Sequence, residues 1–291
     1  MTTAAAETTP TPVLIHRGCT VLVPLDGSEA AVHAWHVARV FAELHEVDLR
    51  VLYLGTAPID ARDWPIKLGI SDRDLHGAII ETAAGPSGAS VVRSARERAC
   101  GLVVTSAHFD PSRPRGQLGP FIHRLLRSCA SHVVIVPEGF DATAYRLRKM
   151  LLPQDGTPSM ALAIAPALHL ADRAQATLYV LHVADIEAPR AHEPGSYCVP
   201  RYVDQAQHEW PAWSHEFMSR IERLGHAPTG MKSLLRLAHG EPGDAILSFA
   251  ERHEVDLIVL AWHGRLEPNR ALTLRAVVSR ASCPVLVLRG G

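Results

Sequence analysis

The chain has 291 residues, 47% of them apolar, and a formal net charge of −1. That length suits two packed domains of roughly 140 residues better than one. The near-neutral balance has no long run of like charges, which excludes a basic nucleic-acid footprint and a membrane-surface helix.

The opening "MTTAAAETTPTP" lacks the basic start and apolar run of a signal peptide, and residues 1–18 are expected as a disordered tail. "TVLVPL" is a short apolar strand that ends at Asp26-Gly27-Ser28, and Ser28 is a good N-cap for the helix "EAAVHAWHVARVFAELH". Strand "DLRVLYLG", a loop, strand "GAIIETAAG" and helix "SGASVVRSARERA" follow. Strand "GLVVTSA", helix "PFIHRLLRSCA" and strand "HVVIV" complete the set.

A second set begins with "KMLLPQDG" and helix "PSMALAIAPALHLADRAQA", then strand "TLYVLHVAD". After an insertion come strand "MKSLLRLAHG", helix "GDAILSFAERHE", strand "DLIVLAW", helix "RALTLRAVVSRA" and strand "PVLVL". No apolar run approaches the ~18 residues of a membrane span. Cys19, Cys100, Cys129, Cys198 and Cys283 form no CxxC pair. They read as free thiols in a reducing compartment, so a cytoplasmic location is expected.

The two sets are one repeat. Asp26 aligns with Asp155, residues 85–108 align without a gap on 240–263, and "HVVIV" aligns with "PVLVL". The second copy gains about 26 residues between its first two matched blocks and loses about three before its last strand. Continuous Val/Ile/Leu strands joined by helices imply parallel strands with right-handed crossovers. Each copy is therefore expected to be a five-stranded doubly wound α/β domain, with ligands bound beyond the carboxyl ends of its strands. The domains are placed at 19–140 and 146–291, with an aromatic helix insertion near 197–225. The last strands, 133–136 and 285–288, are wholly apolar sheet edges, and pairing them antiparallel would remove two aggregation hazards.

"LVPLDGS", "LLPQDGT", "LYVLHV", "GEPGDAI", "DLIVLAWHG" and "CPVLVL" together resemble the universal stress protein family in its tandem form. The likeness runs over nearly the whole chain from about residue 19. It implies two Rossmann-like domains paired through their fifth strands. It also implies that some members bind ATP through a pattern Gly-x2-Gly-x9-Gly-Ser/Thr after the fourth strand. Glycines there let backbone N–H groups approach phosphates at a helix N-terminus.

Both copies break that pattern. The four positions hold Ser106, Phe109, Gly119 and Pro120 in the first copy, and Ala261, Gly264, Leu274 and Arg275 in the second. A shift to Ala271-Leu272 still gives no Gly-Ser. By resemblance, the nucleoside half of a site would use Pro24, Asp26, Leu54, His108 and Gly119, and in the second copy Pro153, Asp155, Val183, His263 and Gly264. An Asp before Gly-Ser or Gly-Thr equally caps a strand–helix turn, so both readings stand.

In the insertion, Trp210, Trp213, Phe217, Ile221 and Leu224 recur on one helical face, with Gly225 expected as the residue after the helix. The matching part of the first copy, "TAPIDARDWPIKLGISDRDLH", cannot supply a comparable helix, so part of that sheet face is expected to be uncovered. His182, His192, His208 and His215 lack metalloprotease spacing, and no metal is expected. No G-x-S-x-G elbow is present. The reading is a stress-response binding or signalling module without ATP hydrolysis, with no cofactor. The alternative is a sensor of AMP, ATP or another adenine ligand. A homodimer or a protein partner is expected, and no nucleic acid or membrane.

Overall fold

Apolar runs buried on both faces must sit as parallel strands between two helical layers. The computed structural model describes residues 14–16, 18–55, 59–83, 87–107, 118–184, 206–263 and 271–290. In the first half, strands β1 (Thr20–Leu25), β2 (Leu49–Tyr53), β3 (Ile79–Thr82), β4 (Cys100–Ser106) and β5 (His132–Val136) alternate with helices. These are α1 (Glu29–His45), α2 (Trp64–Leu68), α3 (Asp72–Leu75), α4 (Gly88–Glu97) and α5 (Pro120–Ser128). The second half has β6 (Lys149–Pro153), β7 (Thr177–Ala184), β8 (Ser233–His239), β9 (Leu257–Trp262) and β10 (Val285–Arg289). Its helices are α6 (Ile164–Ala174), α7 (Ala206–Gly225), α8 (Pro242–Arg252) and α9 (Leu272–Arg280).

The strands form one sheet of order β3-β2-β1-β4-β5-β10-β9-β6-β7-β8. The two halves have the same strand order, reversed about the centre. Pairing is parallel within each half and antiparallel only at the seam, where Val285, Leu286 and Val287 face Ile135, Val134 and Val133. The expected edge pairing is present, and it turns two apolar edges into the middle of the sheet. Side chains reinforce it. The Trp262 indole N–H and the Arg289 guanidinium both donate to the Leu126 carbonyl at 2.9 Å. They thereby satisfy an orphan carbonyl at the C-terminal end of α5. The Arg289 backbone N–H also donates to His132 Nδ1 at 3.1 Å.

Helices α1, α6 and α7 cover one face of the sheet, and α4, α5, α8 and α9 cover the other. Helix α1 begins as expected, with the Ala31 N–H donating to Ser28 Oγ. Its counterpart in the second half does not. Residues 158–163 form a 3-10 helix, and the α-helix starts only at Ile164. Pro166 is the reason. It lacks an N–H and its ring clashes with the carbonyl four residues back, so it is tolerated in a helix's first turn and not inside a longer one.

Four expectations need correction. Leu14 and Ile15 are buried, so the packed chain begins before residue 19. Leu14 and Ile15 form that anchor, and Ile15 lies against Gly101. Second, Gly225 is the last helical residue of α7, and His226 takes the left-handed position at φ 49°. Gly225 is instead a close-approach point, since a Cβ there would overlap Leu168 of α6. Third, Trp213, Phe217 and Ile221 are buried as expected, but Leu224 is 46% exposed. The side chain of Trp210 lies outside the described residues.

The fourth correction concerns the first half. Between β2 and β3 it has no four-turn helix among the described residues, yet α2 and α3 cover the face expected to be bare, burying Leu68, Ile70 and Leu75. The turn-rich sequence becomes a series of short capped helices. Asp60 caps a 3-10 turn, Gly69 ends α2 in the left-handed region at φ 66°, and Ser71 caps α3.

Candidate functional site

In a doubly wound sheet the crevice opens where neighbouring strands part. That point is marked in both halves by a proline. The β1–β4 ladder runs only from Thr20 to Leu22, while β1 stays paired with β2 through Pro24 and Leu25. The β6–β9 ladder covers Met150 and Leu151, while β6 stays with β7 through Pro153. Pro24 and Pro153 have no N–H to offer, so they suit the two residues where one neighbour has left.

Asp26 and Asp155 follow at the crevice rim, and their geometry is the same. Asp26 Oδ1 accepts from the Ser28 N–H at 3.0 Å and from Ser28 Oγ at 2.7 Å. Asp155 Oδ1 accepts from the Thr157 N–H at 2.9 Å and from Thr157 Oγ1 at 2.6 Å. These are Asx turns, which the glycines complete at φ 86° (Gly27) and 80° (Gly156). One oxygen of each carboxylate is thus committed to the turn.

The second strands end in an aromatic pair in each half. Tyr53 meets Trp64 edge-on with ring centroids 5.3 Å apart, and His182 meets Trp213 at 5.2 Å. Leu54 and Val183 come next. Leu54 is buried and donates its N–H to the Leu25 carbonyl, and Val183 is half-buried. His182 is buried, and burial lowers its pKa, opposed by the Gln154 carbonyl and by Asp155. Since a carbonyl only accepts, the nitrogen 2.8 Å from Gln154 O, Nδ1, carries the proton. His263 is exposed, and its Nε2–H donates to Ser159 O at 2.7 Å, holding the 3-10 helix over the second crevice.

His108, Phe109 and Gly264 lie outside the described residues. Gly119 is the N-cap of α5, with Pro120 as its first residue. Ala271 is the N-cap of α9, at φ 58°, with Leu272 as its first residue. Ala271-Leu272 therefore stands where Gly119-Pro120 stands, and Leu274 and Arg275 lie inside the helix. Neither helix start has a side-chain cap or a Gly followed by Ser or Thr, and the nearest hydroxyl is Thr273, the second residue of α9. Pro120 removes one N–H donor, and Leu272 places a 61% exposed side chain at the other start.

Nucleophiles are poorly served. The Ser28 and Thr157 hydroxyls are spent on the aspartates. Burial pushes the Cys283 thiol up to about 12 and raises that of Cys100. Among the described residues, no three His, Cys, Asp or Glu side chains converge as a metal site, and no helix is long and apolar enough to cross a membrane.

Comparison with known proteins agrees with this architecture. Residues 146–289 match the model of the universal stress protein family. The chain is similar to Universal stress protein YxiE of Bacillus subtilis, 30% identical over 147 residues, which is 48% of this chain and 98% of that protein. It is also similar to a universal stress protein of Methanocaldococcus jannaschii, 26% identical over 145 residues, which is 49% of this chain and 82% of the relative. Among solved structures, a universal stress protein from Archaeoglobus fulgidus superposes with a TM-score of 0.64 at 15% identity, covering 95% of this chain and all of that one. A functionally unknown protein from Pseudomonas aeruginosa gives a TM-score of 0.65 at 18% identity, covering 93% of this chain and 92% of its own.

Proposed function

The chain belongs to the universal stress protein family, and we propose that it acts there as a stress-response binding or signalling module that does not bind or hydrolyse ATP. The observation that carries this reading is the pair of helix starts at the crevices. An ATP site needs bare backbone N–H groups converging on phosphate oxygens. Pro120 offers no N–H, and Ala271-Leu272 puts side chains at the equivalent point. The module would then act through contacts with a protein partner or a second copy.

A second reading has its own support, on the nucleoside side of the crevice. Pro24, Asp26 and Leu54, with Pro153, Asp155 and Val183, are assembled around the strand ends, and His263 stands beside the second group. A ligand with an adenine ring and little or no phosphate would suit such a half-site.

One experiment separates the readings. Purified protein is denatured, and the released small molecules are measured by absorbance near 260 nm and by mass. No nucleotide supports the contact module. Adenosine or AMP in stoichiometric amount supports the second reading. Stoichiometric ATP would overturn both.

A further inference from the structure

The connection between the two copies, residues 137–148, has no counterpart inside either repeat. It leaves β5, passes beside α1 and α6 and enters β6 at Lys149. Its backbone is pinned along its length. The Ala142 N–H donates to His33 Nδ1 at 3.2 Å, and the Arg148 and Lys149 N–H groups both donate to Asp256 Oδ2 at 2.8 Å. Between these points Tyr145 meets Phe140 edge-on, and its hydroxyl donates to the Asp256 carbonyl at 3.2 Å. Leu147 is buried, while Arg146 and Arg148 on either side of it are exposed.

A cavity of about 560 Å³ lies along this segment, within the ~300–1,000 Å³ of small-molecule sites. Residues 142–148 form one wall, and Val40 and Leu44 of α1 with Ala174 of α6 add apolar surface. The cavity borders the C-terminal ends of α1 and α6 and the start of β6. It is therefore at the amino ends of the strands, on the opposite side of the sheet's long edge from both crevices.

Three arginines line it, Arg39, Arg146 and Arg148, with one carboxylate, Glu43. Arg39 is already spent on Asp74 at 2.7 Å and on Glu43 at 3.5 Å. Arg146 and Arg148 have no side-chain partner among the described residues. The helix-end carbonyls nearby, which could draw a guanidinium, are taken. The Glu46 N–H bonds the Ala42 and Glu43 carbonyls, Arg173 bonds that of Leu44, and the Gln175 N–H bonds those of Ala171 and Asp172. Two unspent guanidinium groups on a fixed backbone, beside apolar surface, suit an anion carried on an apolar body.

We propose that this cavity binds a small organic anion, with Arg146 and Arg148 holding its charged head and Val40, Leu44 and Ala174 receiving its apolar body. The site is independent of either reading of the crevices. A duplicated chain has one such connection, so the stoichiometry is one per chain.

The test is calorimetric titration of the full chain with octanoate, phenyl phosphate and inorganic phosphate. One saturable site is expected for octanoate or phenyl phosphate, and the tighter of the two identifies the head as carboxylate or phosphate. Inorganic phosphate, which has no apolar body, should bind at least tenfold more weakly. Arg146→Ala combined with Arg148→Ala should weaken the tighter probe at least tenfold, as the loss of charge-assisted hydrogen bonds implies. Ala144→Trp, which fills the cavity from an exposed position in its wall, should do the same without removing a charge. Arg93→Ala combined with Arg96→Ala, two exposed arginines of α4 on the other face of the sheet, should change nothing. No saturable binding of octanoate or phenyl phosphate by the native chain would overturn the inference. So would binding that survives both cavity variants, an equal loss in the α4 variant, or inorganic phosphate bound as tightly as the other two.

Discussion

Between pH 7 and pH 5 the folded protein is expected to lose at least about 4 kcal/mol of stability, about 2 from each of the two most strongly shifted histidines. Burial, with the cationic Arg173 beside it, pushes His45 down to about 4. Burial, with His16 nearby, does the same to His132. Each has an ordinary value of 6.5 when the chain is unfolded. The sign follows from which state takes up protons. Above pH 6.5 both states are neutral and the stability is complete. As pH falls from 6.5 to 4, the unfolded chain binds protons that the folded chain refuses, so stability drops.

The two histidines fail in different ways. His132 Nδ1 accepts the Arg289 N–H across the seam, and a protonated Nδ1 would face donor with donor. His45 has no hydrogen-bond partner on either ring nitrogen, so its charge would be buried with nothing to stabilise it. Urea denaturation at pH 7, 6 and 5 measures the slope. His132→Leu should remove about 2 kcal/mol of the loss. An unchanged stability at pH 5 would mean that both rings reach solvent. Further down, the Asp74 carboxyl, held low by Ser71 and Arg39, and the Asp141 carboxyl, held low by Thr143, add to the loss as they protonate.

Trp213→Ala is expected to destabilise the protein by about 3–5 kcal/mol, the range of a large aromatic removed from a core. Trp213 is 4% exposed, stacks on Phe217 with centroids 4.8 Å apart, and closes on His182. With Phe217 and Ile221 also buried, its burial against its own half places these three residues in the core. Truncation would open a cavity between α7 and β7 and unclamp the His182 ring. The free energy of unfolding in urea is the readout, with Leu224→Ala, on the exposed end of the same helix, as the control within about 0.5 kcal/mol. A loss below about 1 kcal/mol for Trp213→Ala would show that the stripe is not core.

Much of this is legible in the residues. The seam can be read because two all-apolar last strands have no other way to avoid solvent. The crevices can be read because Pro-x-Asp-Gly occurs twice, and each residue in it has a backbone task. The proline stands where strands part, the aspartate closes the turn and the glycine supplies the positive φ. What is not legible depends on contacts between distant segments. The Lys67 carbonyl packs close against Gly27, forty residues earlier, and no local pattern shows it. Pro166 is visible, but its effect on residues 158–163 appears only with the helix built. The helix starts at Pro120 and Leu272 fix a register that the three-residue deletion obscures in sequence. Gln154 looks like a strand-end polar residue until the structure buries it.

The central claim is that the family's crevice persists in this chain without a place for phosphates. Calorimetric titration of the full chain with Mg-ATP, with inorganic phosphate release followed in the same sample, tests it most directly. The account predicts no saturable heat below about 1 mM ATP, a standard affinity near −4 kcal/mol, and no phosphate release. Micromolar binding of one or two ATP per chain would contradict it, because the helix starts at Pro120 and Leu272 would then have to cradle phosphates after all.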